Sequence, residues 1–542
     1  MKQYAFLLPC FLCSMVLNAQ VSTWDGQTST QWTHGSGTNE NPYLIESAAN
    51  LVYLSQKIGT YKTASFRQTI DIVLTSEFPI IGGFSGIYDG DGHTIEIDNH
   101  SSKCTQHDGL FDYRAGLFST IENATIKNLH ISGNFKSAGA AGSSVASGKG
   151  YFGSVAGEST NCTIQNCSSD VSFSPDTWRK GSLLTGGFVG YAKQTSFINC
   201  WFSGSINSRC YTVQDNAMLN GYGVYVTAGG IAGSMSDCNV EACENTGEIV
   251  AEANSKLSNT TSTDNTTCYT GGIAGYANKT TIHNCFNNAL ISSSAISEGW
   301  ESSKNKITSS SGGIVGYTGT YTLTIDYCYN TGKIISIAKS KTTTTIEHQY
   351  AYSAGIAIGY ANISNSYNTG TLNSTITQKG ESVKGGISGK NSKTISNCYY
   401  LNTCGDNTSL GTSETSSFMK TQDFVDLLNA DSTVYALDLN NINNGYPIYA
   451  KDAPPTRTQE GENSSEASLW VEDGNICIKS PKEIESITIY DTNGKTILNH
   501  RDRAFLYQIP CPWHNSTVYM IRLSYAGSAH YSTHKITVSQ QH

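Results

Sequence analysis

One phrase recurs along this chain and limits the folds that it can adopt. Two glycines, two mostly apolar residues and a third glycine are followed, some ten residues later, by Ile-x-Asn-Cys, as in TGGIAGYANKTTIHNC from Thr270. Related copies begin at Thr185, Ala228, Ser311 and Lys384. The chain therefore contains an internal repeat, which is typical of solenoids and other stacked arrays.

The period of the repeat is about 42 residues, because steps of 33, 43, 42 and 43 residues separate its cysteines from Cys167 to Cys328. Each copy carries two short strand patterns separated by turn residues, and its apolar surface is too small to fold alone. Stacking like positions of successive copies would bury a continuous core and pair every strand about 4.8 Å from the next. We predict an all-β solenoid with two coils of roughly 20 residues in each repeat.

The glycines of the phrase are predicted to lie where strands bend, because a positive φ or a close backbone approach would penalise a Cβ there. Ile273 and Ile282 are predicted to fill the interior. Asn284 is expected to adopt the left-handed conformation at a corner and to hydrogen-bond the equivalent Asn of the next coil. The repeat glycines are Gly187, Gly190, Gly230, Gly233, Gly272, Gly275, Gly313, Gly316, Gly386 and Gly389.

Six cysteines occupy one position of the repeat, and Ser366 takes that place in the copy without one. A disulfide scaffold places cysteines at varied spacings in a small domain, whereas these recur in register in a long chain. We predict a ladder of small buried thiols, and disulfide pairing is the alternative. The six are Cys167, Cys200, Cys243, Cys285, Cys328 and Cys398.

The charge and the first residues indicate where the protein acts. The net charge is -9 and no basic block is present, which argues against nucleic acid as a partner. Residues 1–19 combine Lys2, an apolar run and Ala19 before a cleavage point, the pattern of a secretory signal peptide. No later apolar stretch approaches the roughly 18 residues that a transmembrane helix needs. We predict a protein that is exported, secreted or at the cell surface, without a transmembrane segment.

Two short amphipathic segments flank the repeats of residues 101–400. In residues 20–100, the predicted N-terminal cap and entry, Ser47 is an N-cap and Gly59 a helix stop, with Leu51, Leu54 and Ile58 on one face. In residues 401–450, a helix with Phe424, Leu427 and Leu428 is predicted to cap the C-terminal end. Both caps would hide open sheet edges that otherwise aggregate.

The last part of the chain has a different pattern. Residues 451–467 are polar and are predicted to form a linker. Residues 468–542 alternate apolar and polar side chains around the turn Asn493-Gly494, which predicts a small antiparallel β-sandwich. A disulfide between Cys477 and Cys511 is a further hypothesis for this part.

Polar insertions lie at one phase of the repeat, so stacking would place them on one side of the solenoid as a row. Aromatic residues in and beside these insertions would give that side contact area for a ligand, although tolerated solvent loops are the alternative. The candidate binding residues are Tyr211, Tyr222, Tyr225, Tyr269, Trp300 and Tyr350.

The repeated phrase resembles the GLUG motif of bacterial surface proteins, which also occurs near IgA-cleaving metallopeptidases and in large adhesins. The entry segments GSGTNENPYLIESAANLVYLSQKI and FSGIYDGDGHTIEI are similar to the start of those arrays. The resemblance covers about Trp24 to Tyr449 and implies an extracellular, right-handed parallel β-helix. It implies no particular ligand and no activity.

Residues 468–542 are similar to the C-terminal sorting domain of type IX secretion. ITIYDTNGK from Ile487, VYMIRL from Val518 and KITV from Lys535 match its pattern, whereas Ser516 and Thr517 stand where a glycine is usual and the usual Asn-Pro is missing. The resemblance implies the secretion machinery as a partner.

Catalytic and metal motifs were weighed against this structural interpretation. YDGDGHT contains Asp89, Asp91 and His93, but the glycines between them predict a turn, with weak calcium binding at Asp89 and Asp91 as an alternative. Neither HExxH nor G-x-S-x-G occurs, and GGISGKN lacks the spacing of a phosphate loop. We expect no cofactor.

The sequence thus favours a secreted, surface-displayed, non-enzymatic solenoid that is adhesin-like. Its expected partner is an extracellular glycan or protein held by the row of repeat loops. The alternatives are a β-helix carbohydrate-active enzyme, either a polysaccharide lyase or a hydrolase, and a passive surface stalk. A groove with facing carboxylates would favour the enzyme, and an aromatic row would favour the binding protein.

Overall fold

The chain forms two compact units, residues 1–454 and residues 455–542. The computed structural model describes residues 21–75, 78–101, 103–107, 110–136, 148–177, 181–211, 223–255, 265–298, 306–341, 348–390, 392–405, 410–430, 432–453, 467–472, 475–490, 496–510, 517–525 and 531–538. The predicted signal peptide, residues 454–466 of the predicted linker, Tyr222, Trp300, Cys511 and the Asn493-Gly494 turn lie outside these residues.

Three sheets, which we call A, B and C, build the first unit, and nearly all their strand pairs are parallel. Sheet A contains Val21–Thr23, Asp71–Leu74, Thr94–Ser101, His130–Lys136, Ser168–Ser169, Ser172–Ser174, Asp176–Thr177, Trp201–Phe202, Ser205–Tyr211, Glu244–Asn245, Glu248–Ser255, Phe286–Asn287, Ile291–Ser297, Tyr329–Asn330, Ile334–Ser340, Tyr367–Asn368, Leu372–Ile376, Tyr399–Leu401 and Thr412–Glu414. Sheet B contains Tyr43–Ile45, Ser65–Gln68, Ile87–Asp89, Phe118–Glu122, Thr125–Lys127, Ala156–Thr160, Thr163–Gln165, Val189–Lys193, Ser196–Ile198, Ala232–Ser236, Asn239–Glu241, Ala274–Asn278, Thr281–His283, Val315–Asp326, Ala357–Ser364 and Thr394–Ser396. Sheet C contains Lys103–His107, Leu110–Ala115, Gly148–Phe152, Gly181–Gly186, Val224–Gly229, Thr266–Gly271, Ile307–Gly312, Gln349–Ala354 and Gly380–Gly385. The prediction of an all-β parallel solenoid is therefore confirmed.

Each repeat makes one coil, so the prediction of two coils per repeat was wrong. The chain passes from sheet C to two strands of sheet B and then to two strands of sheet A before it returns to sheet C. Thr266–Gly271, for example, pairs with Ile307–Gly312 of the next repeat. The two apolar patterns visible in the sequence are only part of a three-sided turn, because Ser- and Thr-rich strands complete it.

The side chains inside the coil are apolar in one part of its cross-section and polar in another. Ile273 and Ile282 are fully buried, as predicted. Between sheets A and C, small hydroxyl side chains replace apolar ones, and Ser293 lies 2.6 Å from Ser309 and 2.7 Å from Ser311 between their oxygen atoms. These buried hydroxyls satisfy one another, which removes the penalty of burying them unpaired.

Close backbone approach explains the repeat glycines. A Cβ on Gly272 would lie 2.2 Å from the carbonyl oxygen of Gly313 and 2.5 Å from the Cβ of Asn287. None of the ten repeat glycines has a positive φ, so that part of the prediction was wrong. The glycines are needed because neighbouring strands pass too close for a side chain.

Asn284 adopts the predicted left-handed conformation, with a φ of 54°. Its predicted hydrogen bond to an equivalent Asn was wrong, because Ala242 and Tyr327 occupy that corner in the adjacent coils. The corner ladder exists where consecutive copies keep Asn, as in Asn199, whose amide lies 3.0 Å from the oxygen of Asn166.

A second ladder, which the sequence analysis did not predict, runs inside the coil two residues after the cysteines. Asn245, Asn287, Asn330 and Asn368 are fully buried. The side-chain amide of each of the first three donates to the oxygen of the next, over 2.6, 2.7 and 2.7 Å. The bonds cross between coils and therefore hold the register of the stack.

The six repeat cysteines are stacked as predicted, as free and buried thiols. The backbone amide of Cys243 lies 3.3 Å from the sulfur of Cys285, and that of Cys285 lies 3.4 Å from the sulfur of Cys328. Burial raises the pKa of Cys200, Cys243 and Cys285 well above the usual thiol value.

We expect the ladder thiols to resist N-ethylmaleimide in the folded protein and to react after denaturation, because only the thiolate is nucleophilic. An exposed Asn207→Cys thiol should react in the folded state and serves as the control. The thiols ionise at a lower pH in the unfolded protein than in the folded protein. The free energy of unfolding should therefore keep its full value below about pH 8.5 and should decrease above that pH. Mass spectrometry that finds disulfides between ladder peptides would contradict the assignment.

A helix at Ala48–Tyr61 closes the N-terminal end of the solenoid. Ser47 is its N-cap and accepts from the amide of Asn50, as predicted, and Leu51 and Leu54 are fully buried. In the chain, the helix directly precedes the strand Ser65–Gln68. It therefore takes the sequence position that the sheet C strand and the first sheet B strand have in later coils. The predicted stop at Gly59 was wrong, because the helix continues to Tyr61.

In the predicted C-terminal cap, Thr412–Glu414 pairs with the last coil, but the predicted capping helix packs beside sheet A, contrary to prediction. Residues 418–453, which we call the strap, contain Phe418–Lys420 (a 3-10 turn), the helix Gln422–Asn429 and the paired strands Tyr435–Ala436 and Ile448–Tyr449. The strap packs on aromatic side chains of the outer face of sheet A and reaches back until Lys451 binds Glu244 over 3.1 Å. Phe424 and Leu428 are buried in this contact, whereas Leu427 is exposed.

The second unit is a six-stranded antiparallel structure, as its alternating pattern predicts. The long strand Asn475–Tyr490 pairs first with Ser468–Glu472 and Ala504–Pro510, and then with Thr496–His500 and Thr517–Tyr525. Thr517–Tyr525 also pairs with the last strand, Tyr531–Val538. Cys477 is buried in this unit.

Candidate functional site

The outer faces of sheets C and B meet at one corner of the coil and bring tyrosines together. In sheet C, Tyr269 is partly exposed between the buried residues Cys268 and Thr270. In sheet B, Tyr276 and Tyr317 are partly exposed in adjacent coils. We call this corner, from the coil of Tyr225 to that of Tyr352, the tyrosine groove.

The rings of the groove are stacked nearly parallel. The centroids of Tyr269 and Tyr317 are 4.6 Å apart with an interplanar angle of 14°. Tyr276 lies 6.4 Å from each of them. Tyr350 and Tyr352 form a second stack at 6.1 Å. The contacts join residues of both sheets and of successive coils into one aromatic surface.

The third glycine of the phrase makes this corner possible. A Cβ on Gly275 would lie 2.6 Å from the backbone nitrogen of Ala228 in sheet C. Ser310 of sheet C donates to the carbonyl oxygen of Gly316 in sheet B over 2.7 Å. Because no side chain separates the two sheets at this point, the tyrosines on either side of it can touch.

Ion pairs lie beyond both ends of the groove, with Arg114 and Glu158 two to three coils before that of Tyr225 and Glu381 one coil after that of Tyr352. Near the N-terminal end, Arg114 binds Glu158 over 2.5 Å and also lies 5.4 Å from the ring centre of Tyr151. Near the C-terminal end, Lys390 binds Glu381, which accepts a hydrogen bond of 2.9 Å from the hydroxyl of Tyr352. Burial alone would raise the pKa of Glu381, but these two donors outweigh it and lower that pKa.

Three tyrosines of the groove are held as neutral hydrogen-bonding groups. Burial raises the pKa of Tyr269, Tyr276 and Tyr352, and neighbouring phenols or Glu381 add to the effect. Their hydroxyls therefore keep the proton at any physiological pH and can both donate and accept.

The structure brings three of the six predicted binding residues to one sheet. Tyr225, Tyr269 and Tyr350 lie in strands of sheet C and not in the insertions. Tyr211 ends a strand of sheet A, away from the groove. The insertions do occur at one phase, between the last sheet A strand and the following sheet C strand, but most of their residues lie outside the described ranges.

The sequence analysis missed Tyr276, Tyr317 and Tyr352. A signal for the first two was present, since Tyr follows the third glycine of the phrase at Tyr191, Tyr276 and Tyr317. That residue is the first position after the corner that can carry a side chain, so it faces the groove.

The stretch around Asp89 forms a turn between the sheet B strand Ile87–Asp89 and the sheet A strand Thr94–Ser101. Asp91 has a φ of 49°, and Asp89 contacts the amide of Asn128 at 2.9 Å and the ammonium of Lys127 at 3.0 Å. Burial alone would raise the pKa of Asp89, but these donors lower it. Among the described residues, no group of three or more His, Cys, Asp or Glu side chains is placed to hold a metal ion.

The fold and this site define a parallel β-solenoid with a lateral aromatic groove. No family model matches the chain. Halomucin of Haloquadratum walsbyi is 30% identical to it over 126 residues, which are 20% of this chain and 1% of Halomucin. The chain thus spans about a hundredth of that relative, and the similarity is confined to one segment. Neither helix in the described ranges is long and apolar enough to cross a bilayer.

Proposed function

We propose that the protein is an exported, surface-displayed and non-enzymatic solenoid that binds glycans through the tyrosine groove, in the manner of an adhesin. The observation that carries the proposal is the continuous surface of Tyr269, Tyr276 and Tyr317, built from two sheets and two adjacent coils. Sugars present alternating apolar faces and hydroxyls, and tyrosine offers an apolar ring with a polar tip.

The dimensions of the solenoid support this proposal. Successive coils are about 4.8 Å apart, which is comparable to the length of one pyranose unit in an extended chain. A linear glycan lying along the groove would therefore meet an equivalent set of positions at each sugar. Repetition of weak contacts in this way raises affinity without any deep pocket.

The positions of the carboxylates favour binding over the alternative of a glycoside hydrolase. Glu158 and Glu381 end the groove in coils that are six register steps apart, which is about 29 Å. Retaining and inverting hydrolases need two carboxyl groups within about 5–10 Å. Both carboxylates are also paired with a cation.

The second unit supports export as part of the proposal. Its antiparallel strands, including Thr517–Tyr525 and Tyr531–Val538, are those on which the resemblance to a sorting domain rests. In the proposed protein this unit is recognised by the secretion machinery, and the solenoid carries the ligand site.

The test is binding of the chain without residues 1–19 to a glycan array, with a Tyr317→Ala variant. Loss of the central ring should lower affinity by a factor of about 5 to 150, since an aromatic contact contributes about 1–3 kcal/mol. Tyr321→Ala is the matched control, because Tyr321 is in the same strand, 55% exposed and outside the tyrosine stack. A folded Tyr317→Ala variant that binds like the wild type would refute the proposal.

A further inference from the structure

The uncharged side chains of the groove limit the chemical class of the glycan that it can bind. Three rows of positions follow the register of the strands between the coils of Tyr225 and Tyr352, and of their residues Thr267, Ser310 and Ser234 are buried beneath the tyrosines. Row 1 is Tyr225, Thr267, Thr308 and Tyr350; row 2 is Thr227, Tyr269, Ser310 and Tyr352; row 3 is Ser234, Tyr276 and Tyr317.

Every residue of the three rows is Ser, Thr or Tyr, so every one carries a hydroxyl and none carries a charge. Rows 1 and 2 span three register steps, which is about 14 Å along the solenoid, and row 3 spans two. The section is therefore uniform in carrying hydroxyls and no charge over coils of different sequence.

Charged side chains occur beyond both ends of this section. The next residue of row 1 is Glu381, which lies opposite Tyr350 in the pairing of the two strands. Toward the other end, Arg114 and Glu158 are paired with each other. Arg114 and Lys390 each already hold a carboxylate, so neither of these two is available to a charged ligand without the loss of an existing ion pair.

We propose that the tyrosine groove binds neutral glycans, that is chains of uncharged sugars without carboxylate or sulfate groups, and discriminates against acidic ones; this inference rests on the proposed function. A carboxylate brought onto the residues of these rows would lose water and find no cation among them, which is costly. The hydroxyls of a neutral sugar would find donors and acceptors in the phenol groups of the rows and in the partly exposed Thr308.

The experiment compares a neutral β-glucan with its carboxymethyl derivative, which keeps the same backbone and adds carboxylates. For the full chain without residues 1–19, we expect at least tenfold tighter binding of the neutral polymer at constant ionic strength. Thr308→Lys places a cation at a partly exposed position in the middle of row 1. This variant should reduce the preference by about tenfold, whereas Thr375→Lys, which adds the same charge to an exposed position of sheet A, should leave it unchanged.

Tyr225→Lys provides a second test at the 38% exposed end of row 1, in case Thr308→Lys does not fold. Equal or tighter binding of the acidic polymer, still weakened by Tyr317→Ala, would overturn the neutral preference and leave the proposed function in place. Binding of neither polymer nor of any glycan on the array, or binding that Tyr317→Ala does not change, would overturn both.

Discussion

Gly272→Ala is expected to destabilise the solenoid by about 4 kcal/mol, in the upper range for single substitutions. The new methyl group would stand 2.2 Å from the carbonyl oxygen of Gly313 and 2.5 Å from the Cβ of Asn287. The backbone cannot withdraw, because the amide of Gly272 is bonded to that same carbonyl over 3.2 Å. The Asn ladder on its other side is fully buried.

The measurement is the midpoint of guanidinium unfolding, followed by circular dichroism. Gly59→Ala is the matched control, because Gly59 lies within a helix and nothing lies within 4 Å of an added Cβ. This second substitution should stabilise the protein by roughly 0.5–1 kcal/mol, since Ala favours the helix over Gly. Equal midpoints for the wild type and Gly272→Ala would show that the coils are not packed as closely as described.

Tyr367→Ala is expected to release the strap from the solenoid. Tyr367 is fully buried between Tyr329, whose ring centroid is 5.1 Å away, and Phe424 of the strap. Its hydroxyl donates to the carbonyl oxygen of Pro447 and accepts from the amide of Asn443 over 2.9 Å. Loss of a buried aromatic ring costs about 3–5 kcal/mol. Here the substitution weakens the contact between the strap and sheet A.

Limited proteolysis with mass spectrometry should therefore show cleavage within residues 418–453 about a hundredfold faster than in the wild type, because cleavage follows the population of the open state. Tyr360→Ala, at a 49% exposed tyrosine of sheet B, should not change the pattern. Cleavage that increases equally in the coils would show that Tyr367 supports the solenoid as a whole and not the strap in particular.

The elements that the sequence predicts correctly depend on local chemistry or on repetition. Ser47 is an N-cap because its side chain bonds an amide three residues later. The cysteine ladder follows from a recurring position, since like positions stack in any solenoid. The close approach at Gly272 was predictable because a glycine that recurs with the period marks a place where no side chain fits.

The helix stop at Gly59 and the φ of the repeat glycines were local errors, whereas the larger errors in the prediction involve contacts between distant parts of the chain. The number of coils per repeat depends on which strands pair, and strands rich in Ser and Thr carry little apolar signal. The strap settles beside sheet A because Tyr329 and Tyr367 are already stacked there, and an amphipathic helix alone does not show which surface it will cover.

The sequence by itself determined that this protein is a stacked all-β array, because its period, glycines and cysteines leave little other choice. Only the tertiary structure decided where its candidate site lies. Alternation within a strand shows that Tyr269 and Tyr317 face outward, but not that two different sheets turn them toward one another. That contact depends on the angle at which sheets C and B meet, which close packing around Gly275 sets and which no local pattern encodes.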